Sequence, residues 1–286
     1  MGNIKVKIIT LYCGENEFDM CVEMANSQRC AFSFEQVFIK NKANAEAHNE
    51  LYKIIMDQAN NFDYFVKLDA DMVFNGEESL QQIITMAIES GADVFSIPVH
   101  DYMTDSMIWG LNVYKSGVKW LLGTDDLFTD QQRLDGAYVA AKKSLLESES
   151  LVSHAENPSD FQAFIFGIHR AAKVVQVETD KFLLGHAWGQ LNTLFKVVNA
   201  YKKYGDEKRA LAIIGAYFTL NKLNRNVGLN RKEDFVGEFA AVNFEADLEK
   251  SLLYFCHKKI IVLVKSVGSA GLLSGCFEYV TRRLKW

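Results

Sequence analysis

Hydrophobic and polar positions along the first hundred residues follow two alternating periods. Residues 4–12 alternate at their start and turn wholly apolar toward their end, as a strand entering a covered sheet does. Cys13 to Glu17 break the pattern, and residues 18–31 return to helical spacing. Residues 35–40 predict a second strand. Residues 43–60 predict a second helix, with Ala47, Leu51, Ile54, Ile55 and Met56 as its apolar stripe. Residues 64–68 predict a third strand, and 92–99 a fourth. Between them residues 77–90 predict a helix with Leu80, Ile83, Ile84, Ala87 and Ile88 on one face, stopped by Gly91. Strands and helices alternating through short connections predict an α/β fold, Rossmann-like, with a mostly parallel central sheet and helices on both faces. Ligands in such sheets lie outside the carboxyl ends of the strands.

Farther along, the pattern loosens between residues 96 and about 135, where His100, Asp101, Trp109, Tyr114 and Trp120 are scattered among short apolar pieces. Loop-borne aromatics with polar neighbours suit sugar or acceptor binding, and are also ordinary in irregular α/β segments. Residues 136–141 predict a strand of small residues ahead of Lys142 and Lys143. Pro158 and Ser159 predict a stop and an N-cap for a helix over 159–172, with Asp160 in its first turn. Beyond Gly189 two apolar stripes, Leu194, Val197, Val198, Tyr201 and Tyr204, then Leu211, Ile214, Tyr217 and Phe218, flank a charged turn and predict a helical hairpin. The expected organisation is one α/β domain over residues 1–190, its acceptor region at about 96–160, followed by a C-terminal helical extension over 191–286.

Candidate chemistry concentrates in residues 62–74. The run Tyr64 to Leu68 suits a buried strand and ends in Asp69 and Asp71, separated by Ala70. Residues i and i+2 of a strand point the same way, so both carboxylates could face one hard cation, Mg²⁺ or Mn²⁺, completed by phosphate oxygens and water. The plain alternative is a polar turn capping a strand. No G-x-G-x-x-G follows the first strand and no G-x-x-x-x-G-K-[ST] occurs anywhere, so a nucleotide here would be held chiefly through a metal.

The chain has 286 residues, 49% of them hydrophobic, enough to bury a substantial core. A net charge of −5 and a pI near 5.7 argue against a general nucleic-acid binder. Five cysteines without a C-x-x-C pair predict neither a disulfide framework nor a zinc ribbon, and favour a reducing compartment. No secretion signal and no spanning helix are expected, which predicts a cytoplasmic protein. Residues 257–286 carry six lysines and arginines, Lys258, Lys259, Lys265, Arg282, Arg283 and Lys285, against Glu278, a net of +5 interleaved with apolar residues. That density suits either a terminal helix packed on the protein or a peripheral contact with the anionic inner face of a membrane.

Taken in order, these stretches resemble nucleotide-sugar glycosyltransferases of GT-A fold, in particular the family-two-like transferases of bacterial polysaccharide and lipopolysaccharide synthesis. The resemblance covers residues 4–190. It rests on Glu15-Asn16-Glu17 behind the first strand, Ala47 and Asn49 on the second helix, Asp69-Ala70-Asp71, Gly136-Ala137-Tyr138 before basic residues, and Ser159-Asp160 opening a helix that ends in Gly167-Ile168-His169-Arg170-Ala171-Ala172-Lys173-Val174-Val175. It implies that Asp69 and Asp71 bind the metal bridging the donor diphosphate, and that a last core strand over residues 174–178 precedes a third ligand, His186, between Gly185 and Gly189. An O,O,N set suits Mn²⁺ better than Mg²⁺. It implies Asp160 as general base for the acceptor hydroxyl, with Glu156 as substitute, because the family's Glu-Asp pair reads Ser159-Asp160 here. Tyr12 is implied to pack on the base, and Glu15 or Asn41 to hydrogen-bond the nucleoside. The expected donor is a UDP-sugar, with GDP as the alternative, and the expected acceptor a hydroxyl of a glycan or lipid-linked chain, attacked with inversion. Nucleotidylyl transfer is a second reading, although the loop after the first strand has one Gly and no Arg. A carbohydrate-binding or scaffold protein is a third.

Overall fold

The computed structural model describes residues 4–123, 127–128, 137–141, 146, 148–176, 182–221 and 232–283. They fall into two compact units, one of Met1–Tyr102, Ser106–Thr124 and Thr129–Pro158, the other of Met103–Asp105, Asp125–Phe128 and Ser159–Trp286. The expected boundary at residue 190 falls inside a helix.

The first unit is an α/β layer structure. Its strands are β1 (Lys5–Tyr12), β2 (Ser33–Lys40), β3 (Tyr64–Asp69), β4 (Met72–Phe74), β5 (Val94–Asp101), β6 (Ser106–Lys115), β7 (Val139–Ala141) and β8 (Val152–His154). They form one sheet in the order β2-β1-β3-β6-β5-β8-β4, with β7 on β5. β1 is parallel to β2 and β3, whereas β6 runs antiparallel to β3 and β5, and β4 antiparallel to β8. The sheet is therefore mixed, which corrects the mostly parallel expectation. The cause is β6, a strand in the stretch where the sequence pattern loosens. Its hairpin partner β5 is only four residues away, too close for a crossover. The pair's alternation is interrupted by a register shift at Ile97/Pro98 and by Gly110. A Cβ on Gly110 would meet Val99 Cγ2 at 2.7 Å, so glycine there allows the close approach.

Helices cover both faces, as expected. α1 (Phe18–Asn26) and α3 (Ser79–Ser90) pack with Val6, Ile8, Val66, Leu68, Phe95 and Leu111 into one core. α2 (Asn44–Asp57) packs with Ile9, Phe65 and Tyr114 into another through Leu51, Tyr52 and Ile55. Each fully buried large apolar side chain contributes about 2 kcal/mol. α1 stops earlier than predicted because Gln28 turns away, accepting from Leu80 N at 2.8 Å and donating to Gly76 O at 2.7 Å, which caps α3. Gly91 ends α3 in the left-handed region, φ 63°.

The second unit, among its described residues, is helical. It contains α4 (Asp160–Val175), α5 (Leu184–Tyr204), α6 (Glu207–Asn221), a 3-10 turn at Lys232–Phe235, α7 (Val236–Ala240), α8 (Phe244–Phe255) and α9 (Lys259–Arg283). Ser159 caps α4 as predicted, in a reciprocal box with Gln162. The predicted α5–α6 hairpin forms around Gly205, φ 68°. α4 and α6 meet at two glycines. A Cβ on Gly167 would lie 1.8 Å from Ala212 O, and one on Gly215 2.2 Å from Phe164 O. The strand expected at 174–178 is corrected: Val174 and Val175 complete α4, because its apolar stripe packs against the bundle and outweighs the β-propensity of two valines. Glu178 lies outside the described residues, as do Gly136, Lys142 and Lys143.

Candidate active site

Parallel pairing sets the first unit's chemistry. β3 pairs with β1 so that Asp69 stands beside Leu11 at the carboxyl edge, and Ala70 N donates to Leu11 O at 3.0 Å. Ala70 is buried, whereas Asp69 and Asp71 stay partly open, with side-chain exposures of 29% and 26%. The chain then folds into β4, whose Met72 pairs with His154 of β8, and Asp101 at the end of β5 pairs with the same His154. Backbone bonds from Ala155 N to Asp71 O (2.8 Å) and from Tyr102 N to His154 O (3.1 Å) lock the three strand ends together.

The result is a line of charge. His154 Nδ1 donates to Asp101 Oδ1 at 2.7 Å, and His154 Nε2 stands 3.5 Å from Asp71 Oδ2. Asp101 is fully buried, a placement that a carboxylate tolerates only with a strong partner. The Nδ1–H donation sets the ring's orientation and turns Nε2 toward Asp71. Asp69 has its own partner, since Lys67 Nζ donates to Asp69 Oδ2 at 2.6 Å. Burial pushes the Asp69 carboxyl up, but Lys67, assisted by His48 and His154, outweighs it and holds the group below the usual carboxylate range. Cys21 lies close behind. Its burial and the charges of Asp71, Asp69 and Glu15 push the thiol up to about 12, so it is an inert core group.

The neighbouring loops are tied to the same edge. Tyr12 packs tilted against Phe18 with ring centroids 4.2 Å apart, and Lys40 Nζ lies over both rings. Glu15 Oε2 accepts from Cys13 N at 2.6 Å, closing its own turn, and Asn41, at φ 55°, donates from its backbone N to Tyr12 O at 2.8 Å. Asn16 Nδ2 donates to Asn157 O, and Asn157 N donates to Glu17 Oε1, which binds the first loop to the segment after β8. Glu156 is exposed in that segment. Tyr12, Glu15, Asn41, Asp69, Asp71 and Glu156 thus all belong to the first unit.

Asp160 and His186 belong to the second. Asp160 opens α4 and pairs with Lys208. His186 sits in the first turn of α5, edge-on to Phe128 at 5.5 Å, and Lys173 near the end of α4 lies over the same ring at 5.9 Å. Between Asp160 and Lys173 α4 rises by more than three turns, about 20 Å, so these two residues stand at opposite ends of one helix. Arg170 stacks on Phe166 and donates to Gln190. Of the aromatics scattered over residues 96–135, Trp120 stacks on Tyr52 at 4.9 Å and meets Tyr114 edge-on inside the core, which is the ordinary packing alternative for both.

Two residues of this site, Asp101 and His154, carry no local signal of their roles. Lys67 carried one, a lone cation in an apolar strand two positions before Asp69. Among the described residues no group of three or more His, Cys, Asp or Glu is arranged to hold a metal ion. Asp71 and His154 with Asp69 nearby form a donor set that fits a cation taking two or so protein ligands and completing its shell from a bound diphosphate and water.

No family model matches the chain, and no curated protein is similar to it in sequence. Several solved structures are similar in outline, among them the following two. The mannosyltransferase PcManGT from Pyrobaculum calidifontis, in complex with GDP-Man and Mn²⁺, is 11% identical with a TM-score of 0.37, covering 96% of this chain and 86% of its own. A197 from STIV is 13% identical with a TM-score of 0.34, covering 49% of this chain and 83% of its own.

Proposed function

We propose that this chain is a metal-dependent glycosyltransferase, moving a sugar from a nucleotide-diphosphate donor to a hydroxyl of a glycan or lipid-linked acceptor in cell-surface polysaccharide synthesis. The observation that carries this reading is the pair of carboxylates at the end of β3, with His154 held against Asp71 by a buried Asp101. Two of these groups, Asp71 with His154 or with Asp69, would hold Mn²⁺ or Mg²⁺, which would neutralise charge on the departing diphosphate. Lys67 keeps Asp69 ionised, and Asp101 keeps the His154 ring turned toward the site. Direct attack by the acceptor inverts the anomeric centre, and a carboxylate takes the acceptor proton. Asp160 is the base named by the resemblance, and Glu156 is its substitute.

UDP is the preferred nucleotide and GDP the second choice. The test is thermal stabilisation by UDP, GDP, CMP and TDP, each with Mn²⁺ and with EDTA. Stabilisation by one nucleotide only with Mn²⁺, lost in Asp71→Ala, is the expected result. No shift with any nucleotide removes the donor site. Comparing His154→Gln with His186→Gln for Mn²⁺ dependence decides which histidine serves the metal. Comparing Glu156→Gln with Asp160→Asn for turnover at unchanged donor binding decides the base.

A further inference from the structure

The C-terminal helices carry an outward face that a solvated surface does not explain. α8 and the first part of α9 are joined by Tyr254 OH and Ser266 Oγ, 2.9 Å apart, and Phe255 meets Phe195 of α5 edge-on. α9 buries Val262, Leu263, Ser266 and Val267. At helical spacing the opposite face is Ile260, Ile261, Val264 and Lys265, all exposed, where polar residues are the rule. Leu253 on α8 is exposed as well. At Gly268, φ 73° and ψ 165°, the chain leaves helical geometry, and Gly271–Phe277 continues at 101° to Lys259–Ser269, presenting Leu273 and Phe277 at 71% and 72% exposure.

Charge follows the same face. Between Glu249 and Glu278 the chain carries Lys250, Lys258, Lys259 and Lys265 and no carboxylate. Lys250 pairs with Asp247 and Lys259 donates to Asn192, whereas Lys258 and Lys265 are exposed beside the apolar residues. Among the described residues no single helix is long and apolar enough to cross a membrane. A bent apolar pair with a lysine fringe has the composition of an element lying in the headgroup layer.

We propose that the outer face of α8 and α9 docks on an anionic lipid surface, with Leu253, Ile260, Ile261, Val264, Leu273 and Phe277 entering the acyl boundary and Lys258 and Lys265 meeting lipid phosphates. A second copy of the chain fits less well, because a twofold contact would set the same lysines against each other without a carboxylate between them. The inference stands apart from the transferase reading, and either can fail alone.

The test is sedimentation of the full chain with phosphatidylcholine vesicles and with phosphatidylcholine–phosphatidylglycerol vesicles, at low and high salt. Two lysines at the surface favour anionic over neutral vesicles by roughly thirtyfold at low salt, and high salt lowers that preference. Lys258→Gln with Lys265→Gln removes the preference, while Ile260→Ser with Ile261→Ser and Val264→Ser lowers binding to both vesicle types. These substitutions are at exposed positions and leave the unfolding temperature nearly unchanged. Equal binding to both vesicle types by the unaltered chain overturns the proposal. So does no binding at all, whether or not light scattering shows a concentration-dependent dimer.

Discussion

The Nδ1 atom of His154 lies 2.7 Å from Oδ1 of Asp101, two residues 53 positions apart in the chain and each the last of its strand. Asp101→Asn keeps the shape and removes the charge that orients the ring. The expected outcome is a half-saturating Mn²⁺ concentration raised about 10–100-fold, read by nucleotide-dependent Mn²⁺ titration, with the fold intact. Asp101→Ala also leaves a buried imidazole without its partner and costs about 3 kcal/mol of stability in denaturant unfolding. An unchanged Mn²⁺ requirement in Asp101→Asn would remove His154 from the site.

Lys67 sets the protonation of Asp69. The folded carboxyl is held below its ordinary value, so its contribution to stability is present above about pH 4 and is lost as pH falls through the folded value. In Lys67→Met the burial that pushes the group up is no longer opposed by its main partner. The stability difference between the two proteins should be widest near neutrality and narrow in acid. The pH midpoint of Mn²⁺-dependent nucleotide binding should move upward, and an unmoved midpoint would show that Asp69 takes no part in it.

Gly167 and Gly215 let α4 and α6 touch backbone to backbone. Alanine at either position puts a Cβ within 2.2 Å of a carbonyl oxygen, and the expected loss is about 3 kcal/mol or more in denaturant unfolding. Gly189→Ala on α5, with nothing within 4 Å of the added Cβ, serves as the contrast and should gain up to about 1 kcal/mol from helix propensity.

Trp120 and Trp109 separate packing from surface. Trp120, stacked on Tyr52 and 7% exposed, should cost about 3–5 kcal/mol on substitution by alanine. Trp109 is 44% exposed, and Trp109→Ala should change stability by less than about 0.5 kcal/mol. Equal losses in thermal unfolding would contradict this division of the two rings.

Sequence periodicity determined the parallel β1, β2 and β3, the helices on both faces, the Ser159 cap of α4 and the α5–α6 hairpin. The strands, helices and cap are set by local apolar spacing and cap chemistry, and the parallel pairing follows because a helix long enough for a crossover lies between successive strands. It also brought Asp69 and Asp71 to a strand end, because a strand's two-residue period is local. The tertiary structure alone decided that β6 returns antiparallel, since Pro98 and Gly110 blur the alternation exactly where the register shifts. It alone brought Asp101 and His154 to Asp71, through pairings among strands of three to eight residues drawn from three distant segments. Strands of three residues have too little pattern to be read, and their partners are chosen by the sheet they complete.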